Sequence, residues 1–296
     1  MFLKKMVNKV PVLVCHFGKN DYVKNSLRIT SKNNKVIFIG DSEENTKGID
    51  NVDFIDARNF MQSEKIIYYK NYFKPYNTSD SYFVWLWYLR VFLLSEYTFQ
   101  TNIDTVFHID SDNVLLDDLS NYNFQQKIAY CIPSNTDPNY MTGSIHSGLL
   151  NKQFFNDFED LYSDIFINKS KYHLIESKIR FHENFGGGGI CDMTLFYLIY
   201  IANKEKIQNL LDTNTNKSNQ DIVFMNDLND SEGLESKKQF KTDRENRIEI
   251  FNFENEFFVY DLFRKCFVKI MNIHFQGKAK SLLTNKAFLK TIDNVK

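Results

Sequence analysis

Two carboxylates at the end of an apolar run offer the most direct chemistry in this sequence. In Thr105-Val106-Phe107-His108-Ile109-Asp110-Ser111-Asp112-Asn113-Val114-Leu115-Leu116 a β-branched, apolar segment closes on Asp110 and Asp112, and the chain then turns apolar again. Side chains at i and i+2 of a strand leave the same face, so both carboxylates can address one ion or one phosphate group. Paired negative charge at the end of a buried strand is costly unless a cation sits there. A divalent metal with a bound diphosphate would offset that cost. The alternative is a polar turn that simply begins at Asp110. This is the only Asp-x-Asp in the chain.

A second segment, Phe185-Gly186-Gly187-Gly188-Gly189-Ile190-Cys191-Asp192-Met193-Thr194-Leu195-Phe196, sets four glycines in a row ahead of an apolar helix through Tyr200. Glycines permit close approach of a ligand to the main chain, and a helix N-terminus favours negative groups. Asp192 reads either as a carboxylate beside a bound ligand or as a helix cap after a hinge. A third segment, Asn272-Ile273-His274-Phe275-Gln276-Gly277-Lys278-Ala279-Lys280, ends a strand in His274 and follows it with a glycine turn and two lysines. Neutral imidazole is a common metal ligand, and lysines on a short turn suit a diphosphate. Taken alone, His274 also reads as a hydrogen-bonded strand-end histidine. Arg90 lies inside an apolar helix, where an unpaired charge is costly; it either pairs with an acid such as Asp41 or Asp110 or contacts a bound nucleotide or sugar. His108 shares the strand face of Asp110 and Asp112 but lies deeper and reads as core, as do Trp85 and Trp87.

The elements that must position these residues alternate along the first 135 positions. Val10–Phe17, Lys35–Gly40, Val52–Ile55, Thr105–Ile109 and Lys127–Ile132 read as strands. Tyr22–Thr30 and Ser81–Tyr97 read as helices, the second capped by Ser79 or Asp80. Such alternation predicts a mainly parallel sheet covered by helices, with ligands at the carboxyl ends of its strands. Asp41, Asp110 and Asp112 fall there. The polar stretch 203–247 reads as loops and short helices, and Ile248–Phe253, Phe257–Phe263 and Phe267–Phe275 as meandering strands.

Composition narrows the function classes. With 296 residues, 43% of them hydrophobic, the chain can build one large α/β domain. A formal net charge of −1 offers no global field for nucleic acid. Cys15, Cys131, Cys191 and Cys266 are far apart with no CxxC pair, which fits a reducing compartment better than structural zinc or a disulfide framework. Residues 1–9 do not read as a signal peptide. The longest apolar run, Phe83–Leu94, is twelve residues with Arg90 inside it, short of the roughly 20 needed to span a bilayer; a soluble, cytoplasmic protein is expected. No GxGxxG or GxxxxGK[ST] occurs, against a dinucleotide enzyme or P-loop NTPase. From Leu262 to Lys296 the net charge is +7, with Phe267, Leu282, Leu283, Phe288 and Leu289 interleaved. That basic stretch suits either an anionic membrane surface or a solvated tail partly engaged in phosphate binding.

The three segments together resemble the metal-dependent nucleotide-sugar glycosyltransferases of the A-type fold, in particular glycosyltransferase family eight, the glycogenin and lipopolysaccharide galactosyltransferase family. Phe107-His108-Ile109-Asp110-Ser111-Asp112 is similar to that family's Asp-x-Asp after a strand. His274, Gly277 and Lys280 reproduce its His-x-x-Gly-x-x-Lys spacing, and Tyr88-Leu89-Arg90-Val91-Phe92-Leu93 its Arg-containing helix. His146-Ser147-Gly148-Leu149-Leu150 stands where the family has Asn-Ser-Gly, Asp192-Met193 where it has Asp-Gln, and Lys280-Ser281-Leu282 where it has Lys-Pro-Trp.

The resemblance implies a Rossmann-like, mainly parallel sheet flanked by helices, with a smaller C-terminal β-rich portion. A single domain over 1–296 is expected, with a nucleotide-binding half at 10–135, an acceptor and catalytic half at 136–282 and a basic tail at 283–296. Asp110, Asp112 and His274 would hold Mn²⁺ or Mg²⁺ against the diphosphate. His16, Phe17, Asp41, Arg90, Asp110, Gly277 and Lys280 would bind the nucleotide-sugar donor, expected to be UDP-linked, and Asp192 would serve the chemistry. The acceptor would be a glycan or lipid-linked glycan, reached from the cytoplasm, with peripheral attachment to the inner leaflet. Two rivals are a sugar nucleotidyltransferase and a sugar-binding protein without turnover. The first usually carries an N-terminal Gly-rich loop with Arg and Lys, whereas residues 10–30 hold only Gly18.

Overall fold

The computed structural model describes residues 10–133, 138–229 and 239–293. The segment 1–9 and the last three residues of the basic tail lie outside the described residues. Along the first half, β1 (Val12–His16), α1 (Asp21–Thr30), β2 (Val36–Gly40), β3 (Val52–Asp56), α2 (Glu64–Tyr72), α3 (Ser81–Gln100), β4 (Thr105–Ile109), β5 (Asn113–Leu115) and β6 (Ile128–Cys131) follow in order. Then come β7 (Ser144–Asn151), α4 (Lys152–Tyr162), α5 (Glu176–Phe185), α6 (Asp192–Ala202), β8 (Ile207–Asn209), β9 (Asn214–Thr215) and β10 (Asp221–Val223). The chain closes with β11 (Phe251–Phe253), β12 (Glu256–Asp261), β13 (Cys266–Ile270), β14 (Asn272–His274) and α7 (Lys286–Asp293).

A seven-stranded sheet runs in the order β3-β2-β1-β4-β7-β6-β8. Its first four strands are parallel. β7 then pairs antiparallel with β4 and β6, and β8 runs parallel to β6. The strands β1, β2 and β4 are apolar almost throughout, which is what a sheet covered on both faces requires. Period-two alternation sorts them: Leu13, Cys15, Ile37 and Ile39 join a core with α3, α4 and α6, whereas Val12, Val14, Val36 and Phe38 join a second core with α1. Asp80, of the two candidate caps, starts α3, its Oδ1 accepting the Tyr82 amide at 2.8 Å.

The smaller C-terminal part holds a five-stranded sheet, β11-β12-β13-β10-β9, and a separate pair formed by β5 and β14. A third core ties it to the first half, with Ile29 of α1 and Val114 of β5 packed among Val259, Ile270 and Ile273. Leu283, Leu289 and Ile292 are buried in that core, whereas Leu262, Phe263 and Phe267, earlier in the basic stretch, are exposed. Among the described residues no helix is long and apolar enough to cross a membrane.

Among the described residues four α-helices go beyond the elements read from the sequence: α2, α4, α5 and α7. Aromatic residues crowd the first two, and Phe and Tyr suit strands as well as buried helix faces. The stretch 203–247 also departs from expectation, since it contributes three short strands. β8 forms by adding to β6, and β10 by pairing with β13. Partners from elsewhere in the chain decide those elements, not local pattern.

Candidate active site

Asp110 leaves the carboxyl end of β4, and Asp112 sits one residue before β5. The β5–β14 ladder pairs Asn113 with His274, and the Phe275 amide donates to the Asp112 carbonyl at 2.9 Å. Backbone pairing therefore sets His274 beside Asp112, 162 positions away in the sequence. Asn113, fully buried, fixes the corner: its amide nitrogen donates to the His146 carbonyl at 2.6 Å and to Ser147 Oγ at 2.8 Å, and its oxygen accepts from Asn272 at 2.9 Å. Asp110, Asp112 and His274 each offer a ligand atom, and these atoms lie within 4.8 Å of one another. Two carboxylates and an imidazole form a donor set for Mn²⁺ or Mg²⁺.

The electrostatics divide the site in two. Asp112 faces His274 Nε2 at 3.5 Å and Lys280 Nζ at 3.1 Å. Burial opposes charge on the His274 ring, but the hydrogen bond and charge of Asp112 push it up to about 9. His274 Nδ1 donates to the Asn226 carbonyl at 2.5 Å, which orients Nε2 toward the carboxylates. His146 stacks on it at 4.3 Å and 9°; burial, then the neighbouring His274, lowers His146 to about 3.

On the other side Arg90 bridges Asp110 and Asp192, meeting Asp192 Oδ2 at 2.8 Å. Burial would raise Asp110, yet Arg90 and His108 outweigh it and hold the carboxyl well below its ordinary range. For Asp192 burial wins over Arg90, and its carboxyl is raised. His108 is buried, takes the Leu13 carbonyl at 2.9 Å through Nδ1 and faces Asp110 at 3.3 Å through Nε2. It is core and a support for Asp110 together.

Two clefts meet at these charges. One, of about 540 Å³, runs past Asp192, His146, Tyr140 and Lys178. The other, of about 300 Å³, is lined by His16, Phe17, Tyr22 and Phe83. Trp87, Arg90, Asp110, Asp112 and Lys280 belong to both, so the candidate metal ligands stand at the junction.

Of the residues singled out in the sequence, His16, Phe17, Arg90, Asp110, Asp112, Asp192, His274 and Lys280 line these clefts. Asp41 and Gly277 line neither. Asp41 Oδ1 instead accepts the Gly18 amide at 2.7 Å, closing the loop after β1, and Gly277 takes a positive φ of 57° at the turn after β14. Arg90 pairs with Asp110, not Asp41, and with Asp192 besides. The N-cap of α6 is Cys191, with the Thr194 hydroxyl accepting the Cys191 amide at 3.4 Å; Asp192 is the first helical residue, its Oδ1 accepting the Met193 amide at 3.0 Å while Oδ2 meets Arg90. Trp85 packs against the core as expected, while Trp87 also reaches the clefts. The glycine run has a nearer purpose than ligand approach alone. All four glycines have positive φ, and a Cβ on Gly189 would lie 2.3 Å from the Tyr76 carbonyl oxygen. The loop at 76–78 needs that gap, because Ile190 donates to Tyr76 and Thr78 to Gly188.

Lys178, His182, Tyr140 and Ser111 are site residues that sequence reasoning missed. A buried lysine in a helix of mixed polarity leaves no local signal, and α5 itself was not evident.

No family model matches the sequence, and no curated protein matches it. Solved structures similar to this chain include the PaToxG glycosyltransferase, at 14% identity and a TM-score of 0.43, covering 66% of this chain and 70% of that one. They also include the bifunctional glycosyltransferase WbbM, at 14% identity and a TM-score of 0.43, where 97% of this chain aligns with 50% of the other. The structural neighbours are thus glycosyltransferases, and at this level of likeness the functional reading stands on the site's own geometry.

Proposed function

We propose that the protein is a metal-dependent glycosyltransferase that moves a sugar from a nucleoside-diphosphate donor, UDP-linked, to a glycan or glycolipid acceptor. One observation carries this reading: two carboxylates and an imidazole converge where a smaller and a larger cleft meet. The nucleotide would occupy the cleft of His16, Phe17 and Tyr22, and the sugar would extend past Asp192 into the larger one. Asp110, Asp112 and His274 would hold the metal. When bound, the cation acts as a Lewis acid toward the departing diphosphate. Lys280, now paired with Asp112, would turn its ammonium to the phosphates as a point charge. In the transfer, the bond from the anomeric carbon to the diphosphate oxygen breaks and a bond to the acceptor hydroxyl oxygen forms, the hydroxyl proton passing to the departing diphosphate. Asp192, pinned by Arg90, suits a carboxylate that accepts sugar hydroxyls and stabilises oxocarbenium-like charge.

Calorimetry of UDP with and without Mn²⁺ tests the site. Metal should strengthen binding in the parent and leave Asp112→Ala unaffected; equal UDP affinity in the two proteins would sink the assignment. Hydrolysis or transfer of a UDP-sugar with Mn²⁺ separates the enzyme from a binding protein. Lys278, Lys286 and Lys290 are exposed on the C-terminal turn and α7, and they would supply an electrostatic contact with an anionic inner leaflet.

A further inference from the structure

The helix α5 turns one face to the larger cleft. Lys178 and His182, four residues apart, both line it, as side chains at i and i+4 of a helix must when one faces inward. Lys178 is only 5% exposed. Its ammonium donates to the Tyr140 carbonyl at 2.5 Å and to Thr194 Oγ1 at 2.9 Å, both neutral acceptors. Among the described residues no carboxylate lies within ion-pair distance of it, whereas Arg90 is committed to two. An ammonium has three donors, so one remains for a ligand.

His182 supplies a second, independent sign. Its Nδ1 donates to the Gly187 carbonyl at 2.5 Å, while Nε2 is buried and has no partner. Gly188 keeps the ring in that position, since a Cβ there would lie 2.7 Å from His182 Cε1. In the neutral ring Nε2 is a bare acceptor, fit for a sugar hydroxyl. Thr194, which holds Lys178, is two residues beyond Asp192 on the first turn of α6. The α5 face therefore borders the wall that Asp192 offers to the donor sugar.

We infer that Lys178 and His182 form a specificity subsite for an acidic donor sugar, Lys178 pairing with the carboxylate of a hexuronate and His182 accepting a ring hydroxyl. The inference rests on the glycosyltransferase reading and deepens it. The donor sugar is the occupant because a side chain this enclosed meets the ligand that enters first and deepest, ahead of the acceptor. Burying an ammonium against neutral partners is costly, and burial lowers the Lys178 ammonium from its ordinary range. A carboxylate would relieve that cost. No proton transfer or covalent step is involved.

Calorimetry on the full chain with Mn²⁺ and three probes, UDP, UDP-glucose and UDP-glucuronate, tests it. The parent should bind UDP-glucuronate about tenfold or more tightly than UDP-glucose, the range of a charge-assisted hydrogen bond. Lys178→Met should abolish the preference and leave UDP binding unchanged. His182→Gln should weaken both sugars alike by a few-fold while sparing UDP, and it remains a test if Lys178→Met does not fold. Binding of UDP with equal affinity for both sugars, or a preference that survives in Lys178→Met, would overturn the subsite alone. Absence of metal-dependent UDP binding in the parent would remove the glycosyltransferase reading and this subsite with it.

Discussion

Two charged groups meet at the junction of the clefts and are held in different ways. Asp112 and His274 are placed by a backbone ladder, β5 against β14, and Lys280, on the turn that follows, reaches Asp112 through a side chain 42% exposed. Arg90, Asp110 and Asp192 are placed by their own ion pairs in the wall between α3, β4 and α6, and their side chains are 18%, 24% and 4% exposed. In the first group the geometry persists when a partner leaves, because hydrogen bonds of the main chain maintain it. In the second the charges are the geometry. The first is therefore suited to releasing Lys280 and the His274 ring proton in favour of a cation held by Asp110, Asp112 and His274, and the second to holding Asp110 and Asp192 fixed while that exchange occurs.

Breaking the second group should have the larger effect. Arg90→Met leaves Asp110 and Asp192 buried without their cation, and removal of one partner from a buried pair costs about 3–5 kcal/mol. Urea unfolding of the variant should show a loss of that size, and a loss under 1 kcal/mol would mean the wall is not built on charge. Asp192→Asn keeps the shape and removes one charge. It should lower turnover by about 10²–10³-fold while sparing UDP–Mn²⁺ binding; near-normal transfer would take Asp192 out of the chemistry.

The first group should yield to ligand conditions. Saturating Mn²⁺ and UDP should stabilise the parent by about 2.7 kcal/mol at a hundred times the dissociation constant, read as a rise in Tm that a chelator reverses. Asp112→Ala should lose the rise, and Lys280→Met should keep part of it. A chelator-insensitive rise would separate UDP binding from the metal.

A cluster that lines neither cleft sharpens the contrast. Lys269 pairs with Asp117 at 2.7 Å and Glu256 at 2.6 Å. Burial works against its charge, and the two acids outweigh burial, so its folded pKa is raised. A raised lysine contributes stability fully below its unfolded value, about 10.4, and loses it as pH rises through the higher folded value. Lys269→Met should cost roughly 1 kcal/mol at pH 7, with the gap to the parent narrowing only as pH rises past the unfolded lysine value toward the higher folded one. A gap that closes between pH 5 and 8 would assign it to another group. The smallest effect is expected at α7: Lys286→Glu with Lys290→Glu should reduce co-sedimentation with anionic vesicles at low salt, and equal sedimentation would leave these lysines a solubility feature.

Much of the site was legible before any fold was considered. The strand through Ile109, the carboxylates at its end and the helix after the glycine run follow from period-two alternation, β-branching and apolar runs, which act between near neighbours. The His274–Gly277–Lys280 spacing was visible as a motif, but not its register against β5. Nor could local pattern say that Arg90 takes Asp192, 102 positions away, that Asp41 closes a loop instead of facing a ligand, or that the glycines make room for the chain's own 76–78 loop. Lys178 and His182 were silent, being ordinary polar residues on a helix until α5 is laid against the cleft. Local periodicity fixes which way a side chain leaves its own element. Which partner it then meets depends on sheet order and strand register, and those are set by burial summed over the whole chain.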